Sequence, residues 1–163
     1  MMAELSKLIH VELDDHGLPA PTPEVERERK VALFDLIEEN VFGLVQRGDI
    51  SVPKGPYRLM LSIKDRRVVC DVRTKDGSPA SEFHLSVSPL KQVIKDYFQI
   101  CESYFDAVKK LPPAQIEVID MGRRGIHDEG SRQLMERLEG KIETDMPTAR
   151  RLFTLICVLH MRG

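Results

Sequence analysis

The sequence predicts an α+β fold, an antiparallel sheet of three or more strands packed against about four helices. Two observations carry this. Three consecutive segments between residues 57 and 87 alternate apolar and polar residues, as half-buried strands do, and Asp76-Gly77 supplies a turn between the last two. Elsewhere, several stretches repeat apolar residues every three or four positions, the spacing of a helix with one buried face. A sheet with one apolar face needs helices to cover it. The length of 163 residues fits a single domain, 1–163.

Taken in order, Ile9, Val11 and Leu13 alternate with His10 and Glu12 and predict a short strand. Pro19, Pro21 and Pro23 then make an extended connection, because Pro supports neither a ladder nor a helix interior. Thr22 as N-cap and Pro23 at the first helical position start a helix. Glu24, Glu26 and Glu28 suit the positive end of its dipole, and Leu33, Leu36 and Ile37 supply its stripe up to about Asn40. Val41 to Val45 reads as a brief buried strand interrupted by Gly43, and Gly48, Pro53, Gly55 and Pro56 mark a loop. Arg47-Gly48-Asp49 in that loop matches a cell-adhesion tripeptide, which is expected to be a coincidence in a chain expected to be cytosolic.

The three strands present Tyr57, Leu59, Leu61 and Ile63, then Val68, Cys70 and Val72, then Phe83, Leu85 and Val87 on one face. Asp65-Arg66 is short enough for a hairpin, though it lacks Gly. Ser88-Pro89 repeats the N-cap arrangement and opens a helix with the stripe Leu90, Val93, Ile94, Tyr97, Cys101, Tyr104, Phe105 and Val108, stopped at Leu111-Pro112-Pro113. Ile116, Ile119 and Met121 fit either a helix or a strand over 114–121. GRRGIHDEG, residues 122–130, reads as a glycine-punctuated loop, followed by a helix starting near Asp128, marked by Leu134, Met135 and Leu138 and ended by Gly140. Ile142 sits in a link, and Asp145 to Thr148 begin the last helix. That helix is apolar nearly all round after Arg151, so it is either central in the fold or shared with a second subunit; the expectation is a homodimer.

Composition removes whole classes of function. Acidic and basic residues nearly cancel, 26 against 24, so nucleic acid is not an expected partner. The longest apolar run, Leu155 to Leu159, is far short of the roughly 20 residues a membrane span needs. The N-terminus carries no signal-peptide pattern, and the expected location is cytoplasmic. Cys70, Cys101 and Cys157 are widely spaced and fall on apolar stripes, which argues for buried small hydrophobes rather than disulfides or a thiolate zinc site.

The densest polar stretch is Asp120 to Gly130. Its glycines allow backbone N–H groups to approach an anion, and Arg123 and Arg124 offer planar forks that match phosphate or carboxylate. A helix starting near Asp128 would add free N–H groups, and Arg150 and Arg151 a second pair of cations. The candidate anion site is therefore Arg123, Arg124, Gly125 and Arg151. His127, set among ionisable neighbours, is the candidate general acid or base, with Asp120 or Asp128 orienting it. The plainer reading makes the glycines a turn, pairs Asp120 with Arg123 or Arg124, and gives Asp128 to a helix N-cap. No phosphate loop, HExxH zinc motif or nucleophile elbow is present, and no cofactor or metal is expected.

Other polar residues have simpler accounts. His84 lies on the polar face of a strand; His160 ends a helix, where an imidazolium suits the dipole. His10 and His16 near Asp14 and Asp15 make a poor metal set. Tyr97 and Tyr104 share a helical face as core, and Arg66-Arg67 is an exposed pair at a hairpin tip.

Four segments in one order, SPLKQVIKDYF, IDMGRRGIHDEG, RLEGK and TARRLFTLIC, resemble an uncharacterised family of small alphaproteobacterial proteins, from about Val11 to the C-terminus. The resemblance implies a bacterial cytoplasmic protein and carries over no functional residue. Taken together, the sequence favours a non-enzymatic interaction or regulatory module acting as a homodimer. The alternative is a binder of an anionic or phosphorylated small molecule, or an enzyme acting on one, through the 122–130 segment.

Overall fold

Alternating apolar residues place the sheet at the centre of the chain's organisation. The computed structural model describes residues 5–46, 48–49 and 51–160; residues 1–4 and Arg47 of the adhesion-like tripeptide lie outside them. The elements run β1 (Leu8–Leu13), α1 (Pro23–Glu38), β2 (Phe42–Leu44), β3 (Tyr57–Lys64), β4 (Arg67–Thr74), β5 (Pro79–Ser86), α2 (Lys91–Lys110), α3 (Pro113–Leu138), β6 (Ile142–Thr144) and α4 (Met146–His160), with a 3-10 turn at Ser88–Leu90. The fold is α+β.

β3, β4 and β5 form the antiparallel run expected of them, with apolar residues opposite one another: Leu59 with Val72, Leu61 with Cys70, Val68 with Leu85. Asp65 and Arg66 both adopt positive φ, 52° and 61°, the backbone a two-residue hairpin requires, without glycine. At the second hairpin Gly77 takes φ 89°, and the Thr74 N–H donates to the Ser78 carbonyl at 2.9 Å. The sheet is nevertheless mixed rather than a pure antiparallel meander, because β1 joins it parallel to β3 in the order β1-β3-β4-β5. A parallel neighbour needs a long crossover, and the Pro-rich connection with α1 supplies it. A register irregularity between Leu8 and His10 makes Leu8 and Val11, rather than Ile9, the buried pair of β1.

A second, two-stranded sheet pairs β2 with β6. The segment read as a link at Ile142 is therefore a strand, of three residues, too short to show a period. α1 starts as predicted, with Thr22 Oγ1 accepting from the Val25 N–H at 3.2 Å. Its buried face is Val25, Ala32 and Leu36, whereas Ile37 is exposed. α2 follows the 3-10 turn and has no side-chain cap, so Ser88 does not play the N-cap role; Val93, Ile94, Tyr97 and Cys101 are buried, but Val108 is exposed.

The main correction concerns residues 114–130. They form the first two thirds of one 26-residue helix, α3, with no loop in it. Glycine disfavours a helix by about 1 kcal/mol but does not forbid it. Gly130 is there for packing: a Cβ on it would lie 2.1 Å from Cζ of Phe153 in α4. Asp128 is consequently mid-helix and cannot be an N-cap. The C-terminal end behaves as predicted, with Gly140 at φ 81° just past Glu139.

α4 packs against α1, α3, α2 and β3. Thr148, Ala149, Leu152, Phe153 and every residue from Leu155 to Leu159 are buried within the chain. Of the two readings of an all-round apolar helix, the central one applies, and the argument for a second subunit at this helix falls away. Cys70, Cys101 and Cys157 are free and buried, as small hydrophobes; burial holds the Cys70 thiol up at about 12.

Candidate functional site

Because 120–128 is helical, Asp120, Arg123, Arg124, His127 and Asp128 follow the i, i+3, i+4, i+7, i+8 spacing of one helical face. That face meets Arg150, Arg151 and Thr154 from the start of α4, Glu28 and Asp35 from α1, and Tyr97, Tyr104 and Phe105 from α2. Together they bound a cleft of about 910 Å³, which all of them line except Asp120. The cations predicted to converge do so, on side chains alone. The backbone N–H groups of mid-helix residues are engaged in the helix, so the helix N-terminus expected at the site is absent.

Arg123 is the most tightly held. Its guanidinium lies 4.2 Å over the Tyr104 ring, bonds Asp120 Oδ1 at 2.8 and 3.2 Å, and reaches Glu28 Oε1 at 3.4 Å. Arg124 is exposed, 3.2 Å from Glu117 and 3.3 Å from Asp120 Oδ2. Asp120 thus bridges both arginines, as the plainer reading expected. Arg150 Nε is ion-paired with Asp128 Oδ1 at 3.3 Å, but the atom is buried with no hydrogen-bond partner. Arg151 is held loosely, 4.0 Å from Asp35.

Glu28 forms part of the cleft wall, its side chain 16% exposed. Burial raises its pKa by more than the Arg123 guanidinium and the Tyr97 hydroxyl lower it, and its Oε2 is buried with no hydrogen-bond partner. His127 lies 5.3 Å from both the Tyr97 and Phe153 rings. Its Nε2 is 2.7 Å from Thr154 Oγ1, whose hydroxyl donates to the Arg150 carbonyl at 3.1 Å. With that proton committed, the Thr154 oxygen accepts from His127 Nε2–H, which assigns the tautomer. Burial pushes the His127 pKa down to about 4, with Arg150, Arg123 and Arg151 adding to the shift and Asp128 opposing it. The imidazole is neutral at pH 7.

These contacts correct three expectations. His127 is oriented by Thr154, not by Asp120 or Asp128. Gly125 does not line the cleft; it is on the exposed side of α3, with nothing within 4 Å of a Cβ built on it. His160 donates from Nδ1 to the Ile156 carbonyl at 2.8 Å, but burial lowers its pKa and favours a neutral ring over an imidazolium cap. Tyr97 is buried core, as expected, and lines the cleft as well. His84 lies 3.3 Å from Glu82, and His10 bonds Glu12 at 2.6 Å. Among the described residues no group of three or more His, Cys, Asp or Glu side chains could hold a metal ion.

Glu28 and Thr154 were missed, and both had a signal. Glu28 shares the helical stripe of Val25, Ala32 and Leu36, so a carboxylate interrupts a buried face. Thr154, one turn beyond Arg150 and Arg151, continues a polar patch on an otherwise apolar helix.

Residues 5–162 match the group described as Uncharacterised protein family (UPF0262). The chain belongs to this family. Its UPF0262 relatives include one from Ruegeria pomeroyi, 66% identical over 98% of this chain and 99% of the relative. One from Ruegeria sp. is 67% identical over 98% and 100%, and one from Paracoccus denitrificans is 58% identical over 98% of each. No solved structure matches the chain. Among the described residues no helix is long and apolar enough to cross a membrane.

Proposed function

We propose that this UPF0262 chain binds an anionic small molecule, a phosphorylated or carboxylated compound, in the cleft between α1, α2, α3 and α4. The observation that carries this is the convergence of Arg123, Arg124, Arg150 and Arg151, from the successive helices α3 and α4, on one concave site. With Arg27 and Lys109, the cleft wall carries six cations against four carboxylates, Glu24, Glu28, Asp35 and Asp128. Arg150 and Arg151, the least well paired of the four arginines, keep donor capacity for an incoming oxyanion. Phe105, Val31 and Val108 add an apolar wall for the rest of the ligand. A neutral His127 beside them presents a hydrogen-bonding ring at no cost in like-charge repulsion.

The test is a thermal-shift screen of the purified protein against inorganic phosphate, pyrophosphate, citrate and nucleotides, with Arg150→Ala and Arg124→Ala alongside. A ligand bound to the native state raises the melting temperature by mass action. The reading predicts a concentration-dependent rise for at least one anion that Arg150→Ala removes and Arg124→Ala weakens. No rise with any anion, or a rise that survives both substitutions, overturns it.

A further inference from the structure

The two edges of the four-stranded sheet are finished differently. At β1 the outward backbone groups of Leu8 are closed by one side chain: Asn40 Oδ1 accepts from the Leu8 N–H at 2.7 Å, and Asn40 Nδ2 donates to the Leu8 carbonyl at 3.0 Å. Among the described residues no side chain closes the outer backbone groups of β5 in this way. This eight-residue strand, PASEFHLS, pairs with β4 alone. It carries no lysine, its proline and a register irregularity stand at one end, and its middle holds a single carboxylate, Glu82, against edge pairing.

Which backbone groups are open follows from the ladder. The Val87 N–H donates to the Arg66 carbonyl at 3.2 Å, on the β4 side. Antiparallel ladders alternate, so Phe83 and Leu85 turn their backbone groups to β4, while Glu82, His84 and Ser86 turn theirs outward. A second β5 can pair here by a twofold axis only if even positions meet even positions. A twofold at residue 82 would set Glu82 against its own copy. One at residue 84 would set His84 against His84. The twofold at Phe83 sets each Glu82 against the other copy's His84, carboxylate to imidazole, and keeps as much strand overlap as the twofold at residue 82.

We infer that UPF0262 chains pair through β5, antiparallel about Phe83, into a continuous eight-stranded sheet across a homodimer. The paired residues on the solvent face are Glu82 and His84, now exposed and 3.3 Å apart within one chain. On the other face Phe83, half-buried against the core, meets its own copy at the non-hydrogen-bonded position, where side chains approach closest. The dimer is independent of the cleft, which is formed by the helices.

Sedimentation equilibrium from low to high micromolar concentration tests this on three proteins: the native chain, His84→Glu, and the exchange Glu82→His with His84→Glu. The native chain is expected to be dimeric at the upper end. His84→Glu sets like charges opposite each other twice and is expected to weaken the dimer roughly tenfold or more, with an unchanged melting curve at concentrations where both proteins are monomeric, because the site is exposed. The exchanged protein restores opposite partners and is expected to dimerise again. A native chain that stays monomeric, a single variant that dimerises as well as the native chain, or an exchange that fails to restore pairing overturns the assignment.

Discussion

The two halves of α3 do different work with the same residue types. From Gly130 onward the helix is bonded into the core: Gly130, Ser131, Leu134 and Leu138 are buried, and the Gly130 backbone rests against the Phe153 ring. Before His127 the helix is mostly exposed, with Val118 at 69% and Met121 at 60%, and its inward face carries arginines rather than leucines. One half is held by packing, the other by ion pairs around a cleft. The difference teaches that a glycine in a helix has no fixed meaning. Gly130 permits a close approach, while Gly125 touches nothing within 4 Å of its missing side chain.

Substitutions can break or sharpen that contrast. Phe153→Ala should have the largest effect, a loss of about 3–5 kcal/mol in denaturant unfolding, because it empties a fully buried site against the packed half. The junction residue, His127, should be read by pH. It protonates in the unfolded chain near 6.5 but in the fold only near about 4. Below 6.5 the unfolded chain therefore binds the proton first, so stability present above that pH is lost as pH falls toward 4, by on the order of 3 kcal/mol. His127→Gln should flatten this slope, and the residual dependence includes His160, which burial shifts in the same direction. An unchanged slope in the variant would mean that His127 takes up its proton as readily in the fold as in the unfolded chain.

Gly130→Ala is next. Its Cβ clashes with a ring that has no room to move, and about 1–3 kcal/mol should be lost, less if Phe153→Leu is combined with it. Gly125→Ala should do the reverse, gaining up to about 1 kcal/mol through helix propensity alone. Since Gly125 does not line the cleft, this variant should keep any anion response intact. Equal losses at both glycines would erase the contrast between the two halves.

Much of the fold was legible locally. The β3–β4–β5 run, its Asp76-Gly77 turn, the Thr22-Pro23 helix start and the Gly140 stop each follow from short-range rules about periodicity, φ and capping. The parallel position of β1 was not, since a strand's alternation does not name its neighbour. The candidate site was half legible. Arg123, Arg124, His127, Arg150 and Arg151 stood out by type, but three glycines in nine residues suggested a loop, and Glu28 was read only as a dipole partner.

The sequence by itself determined the α+β class, the apolar faces, most helix and turn boundaries, and which charged residues were worth following. Those properties depend on neighbours within about one helical turn or one strand repeat, which the chain spells out directly. Only the tertiary structure decided that α3 runs unbroken through its glycines, that α4 sits inside the chain, and that Glu28 and Thr154 join the arginines. Each of those outcomes depends on what one helix meets across a gap in sequence. Gly130 against Phe153 is favourable because a ring is there to fill the space, and nothing near Gly130 in the chain announces that ring.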